Sequence, residues 1–268
     1  MSLTIFGKAA DVPRNASLVA LSAALLLSAC GEPVLMSNLT PPLAQEKNKG
    51  NGGDLSRLAA AAKADPGDAA AALAYAKALR SKGARSQALA ALDDAAKAKP
   101  EDRRLTLQRG LLALEIGDPA RAEPLLRAAQ DAKAPDWRLH SALGSALASR
   151  GKHREAQEQF TKALALAPNH PSVLNNLALA YALDGKAEDA EKVLRKAVPA
   201  GRSTPNAEKL QQNLALVLAL GGKYSESRTT AEAALPAAKA GENIAYVQKM
   251  AQARSAGWAA KTEPADAR

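Results

Sequence analysis

The sequence predicts an all-α fold, a solenoid of antiparallel helix pairs, and three observations carry that prediction. Gly83, Gly117, Gly151 and Gly185 stand at intervals of 34 residues. Ala88, Ala122, Ala156 and Ala190 keep the same interval, and Leu92, Leu126, Phe160 and Leu194 follow them four residues later. Alanine and leucine dominate a chain with only 3% aromatic residues, a composition suited to a core distributed between neighbouring helices rather than gathered around large rings.

The stretch Trp137 to His170 shows why the pattern means two helices and a hinge. Helical spacing puts His140, Leu143, Gly144 and Leu147 on one face of its first half, and Ala156, Phe160 and Ala163 on one face of its second. Gly151 between them takes the left-handed conformation that ends a helix without the cost a side chain would bring. Pro168 ends the second helix, since proline cannot continue it and drives the preceding residue toward an extended shape. The small first-helix position recurs as Ala76, Gly110, Gly144 and Ala178, and the next large one as Leu79, Leu147 and Tyr181, with Ala113 the exception. This length and this alternation of small and large residues resemble the tetratricopeptide (TPR) repeat, which implies a right-handed superhelical solenoid. The units are 69–102, 103–136, 137–170 and 171–204.

Ahead of the repeats, Lys8 and Arg14 precede an apolar run from Ser17 to Leu27, followed by small residues up to Cys30, the only cysteine. That order reads as a signal peptide over 1–29. The run is shorter than the roughly 20 residues of a bilayer-spanning helix. Leu27-Ser28-Ala29-Cys30 resembles a bacterial lipobox, which implies cleavage before Cys30 and lipid attachment to its sulfur. Gly31 stands where an aspartate would retain a lipoprotein at the inner membrane, so the expected location is the outer membrane, with the folded part in the periplasm. Residues 30–53, rich in proline, asparagine and glycine, read as a lipidated flexible tether.

The solenoid is expected over 54–256. Asp54 to Ala64 reads as a capping helix, and Asp68 as the N-cap of the first full unit. Unit 103–136 departs from the pattern at Arg109, where a large apolar residue is usual, and its Pro135 comes one position late. Gly222 follows Gly185 by 37 residues, so three are inserted near Thr204 to Asn206. The fifth unit, about 208–241, is degenerate, with Ser227 and Ala231 at the tight and bulky positions, and Pro199 and Pro236 fall early. A last helix, about Glu242 to Ser255, would cap the array, and 257–268 would form a disordered tail.

Formal charge is +9, from 36 basic and 27 acidic residues. Loss of residues 1–29 removes Lys8, Arg14 and Asp11, leaving 34 against 26, or +8. A basic surface suits an acidic protein or a membrane face. Nucleic acid is not expected as a partner, because aromatics do not interleave with arginine and lysine and no recognition motif is present. The three histidines are scattered, with no metal-ligand spacing, and neither a phosphate-cradling loop nor a nucleophile motif is found. No catalytic residue, metal, cofactor or small-molecule substrate is therefore expected, and the sites to seek are binding surfaces.

In a stack of this kind the first helices line the concave face. Asn176 and Asn213 share one register in consecutive units, and Gln108 holds it in an earlier one. Amides there suit a peptide backbone, since each both donates and accepts. Asn175, Gln212 and Lys209 flank them, and Arg104 and Arg138 repeat a basic position nearer the amino end that suits an acidic peptide. All of these positions also fit ordinary solvated helix surface.

The segment from Asn175 to Met250, above all its ending AALP…ENIAYVQKM, resembles the TadD family, lipoproteins of the tight-adherence (Flp) pilus assembly system; weaker likeness begins near Leu73. The resemblance implies a non-enzymatic assembly factor, a pilotin or scaffold for the outer-membrane secretin or another component of that system. A general periplasmic scaffold for peptidoglycan or polysaccharide machinery is the alternative, and the repeat architecture fits both.

Overall fold

The computed structural model describes residues 52–198 and 205–234, with positions 241 and 245. Among them the chain forms eleven α-helices and no strand. They are α1 (Gly52–Ala64), α2 (Ala69–Ser81), α3 (Arg85–Ala98), α4 (Arg103–Glu115), α5 (Pro119–Ala128) and α6 (Trp137–Ser149), then α7 (His153–Leu166), α8 (Pro171–Leu183), α9 (Ala187–Ala197), α10 (Pro205–Leu220) and α11 (Tyr224–Glu232). The proposed signal peptide, Cys30, most of the tether, the last capping helix and the tail lie outside the described residues. α1 begins at Gly52, two residues before the expected Asp54.

Each helix packs on the next in sequence, and each even-numbered first helix from α2 to α8 also touches the first helix of the following unit. The even-numbered helices thereby form one wall of the stack and the odd-numbered helices the other. Five hinges join the pairs. Gly83, Gly117, Gly151, Gly185 and Gly222 have φ between +75° and +82°, the left-handed region that ends a helix.

The small and large positions meet as the repeat requires. A Cβ built on Gly144 would lie 2.7 Å from Phe160 Cε1, and one on Gly110 2.9 Å from Leu126 Cδ2. Phe160, Leu126, Ala156, Leu143 and Leu147 are fully buried. Asp68, Asp102 and Asp136 cap α2, α4 and α6 through their carboxylates, so the cap expected at Asp68 recurs in the next two units.

The irregular units are accommodated by specific contacts. Arg109 is accommodated at a half-buried position because Asp93 of α3 accepts from its Nε at 2.8 Å, while Arg121 binds the other carboxylate oxygen. α5 has 10 residues where α3 and α7 have 14. Its end is drawn off the helical path by Asp131, which accepts from the backbone N–H of Lys133 at 2.8 Å, and by Arg103, which donates to the Ala129 carbonyl at 2.8 Å. A cavity of about 410 Å³ opens there, lined in part by Pro135, Leu139 and His140.

The three inserted residues lengthen a helix. α10 runs 16 residues where α2, α4, α6 and α8 each run 13, so the extra residues form most of one turn at its start. Ser227 at the tight position of the fifth unit is fully buried and donates to the Ala215 carbonyl at 2.7 Å. A serine is tolerated there because the facing helix supplies an acceptor.

Candidate protein-binding surface

The first helices of the last three described units have an unusual composition. Residues 139–149, 171–183 and 210–220, which make up most of α6, α8 and α10, contain no Asp, Glu, Lys or Arg. The paired second helices α7, α9 and α11 all carry charge, as do the earlier first helices α2 and α4. Apart from Arg138, Glu208 and Lys209 near the helix starts, charge is therefore segregated to one wall in this half of the stack, and the other wall is built of amides, hydroxyls and small apolar groups.

Three of the predicted amides converge on that uncharged wall. Asn213 Nδ2 on α10 donates to Asn175 Oδ1 on α8 at 2.6 Å, and Asn175 Nδ2 donates at a marginal 3.4 Å to Asn176 Oδ1. Asn176 Nδ2 and Asn213 Oδ1 have no partner among the described residues, and neither has the half-buried Gln212 amide. The cluster thus retains unused donors and an unused acceptor, the complement of a peptide group.

Two expectations are corrected here. As ordinary solvated surface, Asn175 and Asn176 would be exposed, yet they are 7% and 3% exposed. α8 is the middle helix of this wall, packed by α6, α7, α9 and α10, so even its polar side chains lie in crowded surroundings. Gln108, half-buried on α4, is not brought into the cluster. The register between it and Asn176 is held by Ala142, which breaks the row.

The basic positions are engaged within their own helices. Arg104 is exposed, but its Nε and a terminal nitrogen reach the Asp102 carboxylate at 3.2 and 2.7 Å. That hydrogen bond, with those from the backbone N–H groups of Arg104 and Leu105, outweighs desolvation and holds the Asp102 carboxyl at about 2. The exposed Arg138 lies 4.9 Å above the Trp137 ring, with Asp136 at 3.9 Å. Trp137 in turn packs on His170 with ring centroids 4.2 Å apart. Lys209 is exposed at the start of α10, in the same register as these two arginines once the insertion is counted.

A feature not anticipated from sequence joins successive units through the lysine that follows three of the five hinge glycines. Lys152 reaches Glu123 at 2.9 Å, Lys223 reaches Glu191 at 2.8 Å, and Lys186 makes the equivalent contact to Gln157 Oε1 at 3.4 Å. Burial raises the pKa of the Glu123 carboxyl, but hydrogen bonds from Lys152, Arg127 and Arg150 bring it below its ordinary value. Glu191 is lowered chiefly by its hydrogen bond from Lys223. The signal was present as Gly-Lys at 151–152, 185–186 and 222–223, facing 123, 157 and 191 at intervals of 34.

Among the described residues no three His, Cys, Asp or Glu side chains gather into a metal-binding group, and no helix is long and apolar enough to cross a membrane. His140 is half-buried, its Nδ1 3.0 Å from Gln159 Oε1. His153 and His170 have buried Nδ1 atoms without a partner, and burial pushes both imidazoles below their ordinary pKa.

Comparison with known proteins agrees with this architecture. The tetratricopeptide-repeat family profile matches residues 78–136 and 141–208. A TPR repeat-containing protein of Pseudomonas aeruginosa is 35% identical over 128 residues, which are 47% of this chain and 22% of that relative. The chain thus spans about a fifth of that protein's length. Among solved structures, PilW, described as a widely conserved type IV pilus biogenesis factor, aligns with a TM-score of 0.56 at 20% identity, covering 68% of this chain and 86% of its own. MamA aligns at 0.51 and 22% identity, covering 63% and 87%. YrrB, described as a TPR protein with an unusual peptide-binding site, aligns at 0.52 and 17% identity, covering 73% and 94%. At such identities these structures share the fold alone. Repeat spacing, helix pairing and these matches converge on one conclusion: the described helices adopt the tetratricopeptide-repeat fold, a solenoid of antiparallel helix pairs.

Proposed function

We propose that the protein is a non-enzymatic binding scaffold of the tight-adherence (Flp) pilus system, held at the outer membrane by lipid on Cys30, with the solenoid in the periplasm. Its partner in this reading is the pilus secretin or another assembly component, and its role that of a pilotin or scaffold. The observation that carries the binding part is the amide cluster of Asn175, Asn176 and Asn213 on an uncharged helical wall, with donors and an acceptor left unused. The pilus part is supported by the resemblance of residues 175–250 to the TadD family, and accords with a fold shared with a pilus biogenesis factor. Deletion of the gene tests it. Secretin multimers in the outer membrane and surface pili should both fall, and wild-type protein should restore them. Undiminished multimers and pili in the deletion strain would refute the pilus assignment.

A further inference from the structure

The wall of α6, α8 and α10 says more about its ligand than that it is a polypeptide. Cations at the starts of the first helices suggest an acidic segment or a free carboxyl terminus. The contacts that Arg104 and Arg138 make point the other way, since one is held by Asp102 and the other lies over Trp137 near Asp136. Beyond the first turns, 139–149, 171–183 and 210–220 carry no formal charge of either sign.

An ionic ligand group placed against such a wall would lose water without gaining a counter-charge, a cost that a neutral amide pairing with amides does not incur. The polar side chains the wall does offer are the amides of Asn175, Asn176, Gln212 and Asn213, since Ser141 and Ser145 are buried and the Ser145 hydroxyl donates to the Ser141 carbonyl at 3.0 Å. Asn176 is the telling member, because the residue is 3% exposed and its Nδ2 has no hydrogen-bond partner among the described residues. That nitrogen is not among the fully enclosed polar atoms left without a partner, so it reaches the surface as a donor open to an acceptor. Asn213 Oδ1 offers the reciprocal acceptor on the neighbouring helix.

Resting on the binding reading above, we propose that this wall takes an internal, uncharged, extended segment of its protein partner, read through backbone amides, and that it is not a receptor for an acidic tail or a terminal carboxylate. The donor at Asn176 and the acceptor at Asn213 lie on adjacent helices, so an extended strand running across them can offer its carbonyl to one and its N–H to the other. Leu179 and the half-buried Leu216, each three residues beyond one of these asparagines, supply apolar contact for aliphatic ligand side chains between those bonds.

The test is selection of a random 12-residue peptide library on the full lipidated protein in detergent, with parallel selections on Gln212→Ala and on the double variant Asn176→Ala/Asn213→Ala. Gln212, whose side chain is half-buried and unpartnered, serves as the variant whose folding is least at risk. The expected result is peptides that are enriched on wild type, lost on either variant, depleted at least threefold in Asp, Glu, Lys and Arg relative to the input, and bound equally well with an amidated carboxyl terminus. Enriched peptides with Asp or Glu at fixed places, or binding that disappears on amidation, would overturn the inference while leaving a peptide-binding wall intact. If wild type enriches no peptide that the variants fail to bind, the binding reading itself fails, and this inference with it.

Discussion

Asn213 on α10 donates to Asn175 on α8 at 2.6 Å, a direct amide-to-amide bond between the first helices of consecutive units. It joins the fourth unit to the fifth across an inserted stretch, where the register of the repeat slips. One contact therefore serves both the continuity of the stack and the geometry of the surface proposed to bind. Asn175→Ala should accordingly lower stability by about 0.5–1.5 kcal/mol, as for loss of a hydrogen bond near the interior. Circular dichroism melting measures this, and an unchanged midpoint would show that the bond does not tie the units together.

Two glycines of the third unit should fail for different reasons. Gly144 is limited by space, so Gly144→Ala drives a methyl into the buried Phe160 ring and should cost roughly 1–3 kcal/mol. Gly151 has nothing within 4 Å of its Cβ direction but sits at φ +75°. Gly151→Val should therefore cost about 1 kcal/mol or more through backbone strain alone, and Gly151→Asn clearly less. Chemical denaturation of the three variants separates the two mechanisms. Equal costs for valine and asparagine at 151 would contradict the second.

The ion pairs between units predict acid sensitivity of a stated sign. Glu123 and Glu191 have folded values below their ordinary 4.5, so their ionised forms contribute stability that is fully present above about pH 4.5 and is lost as the pH falls through the lowered folded values. Glu123→Gln should cost about 1–2 kcal/mol at neutral pH, the cost of a buried pair discounted because its cations are partly exposed. Glu123→Gln/Glu191→Gln should also flatten the fall in melting temperature on acidification from neutral pH to below about pH 4.5. A double variant with the wild-type pH profile would remove these pairs from the account.

The proposed anchor makes a prediction independent of the solenoid. Cys30→Ser should abolish incorporation of an alkyne fatty acid and leave the precursor unprocessed, because the lipid is attached to sulfur. Equal labelling of wild type and variant would exclude Cys30 as the attachment point.

Much of the fold was legible because the repeat is governed by local sterics. A left-handed hinge calls for glycine, and close approach of two helices calls for glycine or alanine opposite a large residue, so Gly151, Gly144 and Phe160 announce their roles in sequence. The short α5 was not legible, since it depends on Asp131 and Arg103 capturing backbone groups at its end. The amides of Asn175, Asn176 and Asn213 could be placed in register, but their burial depends on four helices converging around α8. Arg104 and Arg138 each follow an aspartate by two residues, a local cue to neutralisation that register alone overlooks. The lysines after the hinges were visible as a repeat, yet their partners lie in the preceding unit, and only the packing brings them together.

Placement of a photo-crosslinking residue tests the central claim, that the uncharged wall is the binding surface, most directly. Introduced in cells at Gln212 on α10, the crosslinker should capture the partner, the secretin on the reading proposed above, whereas at the exposed Lys162 on α7 it should not. Capture from Lys162, or equal capture from both positions with the protein at normal abundance, would contradict the account.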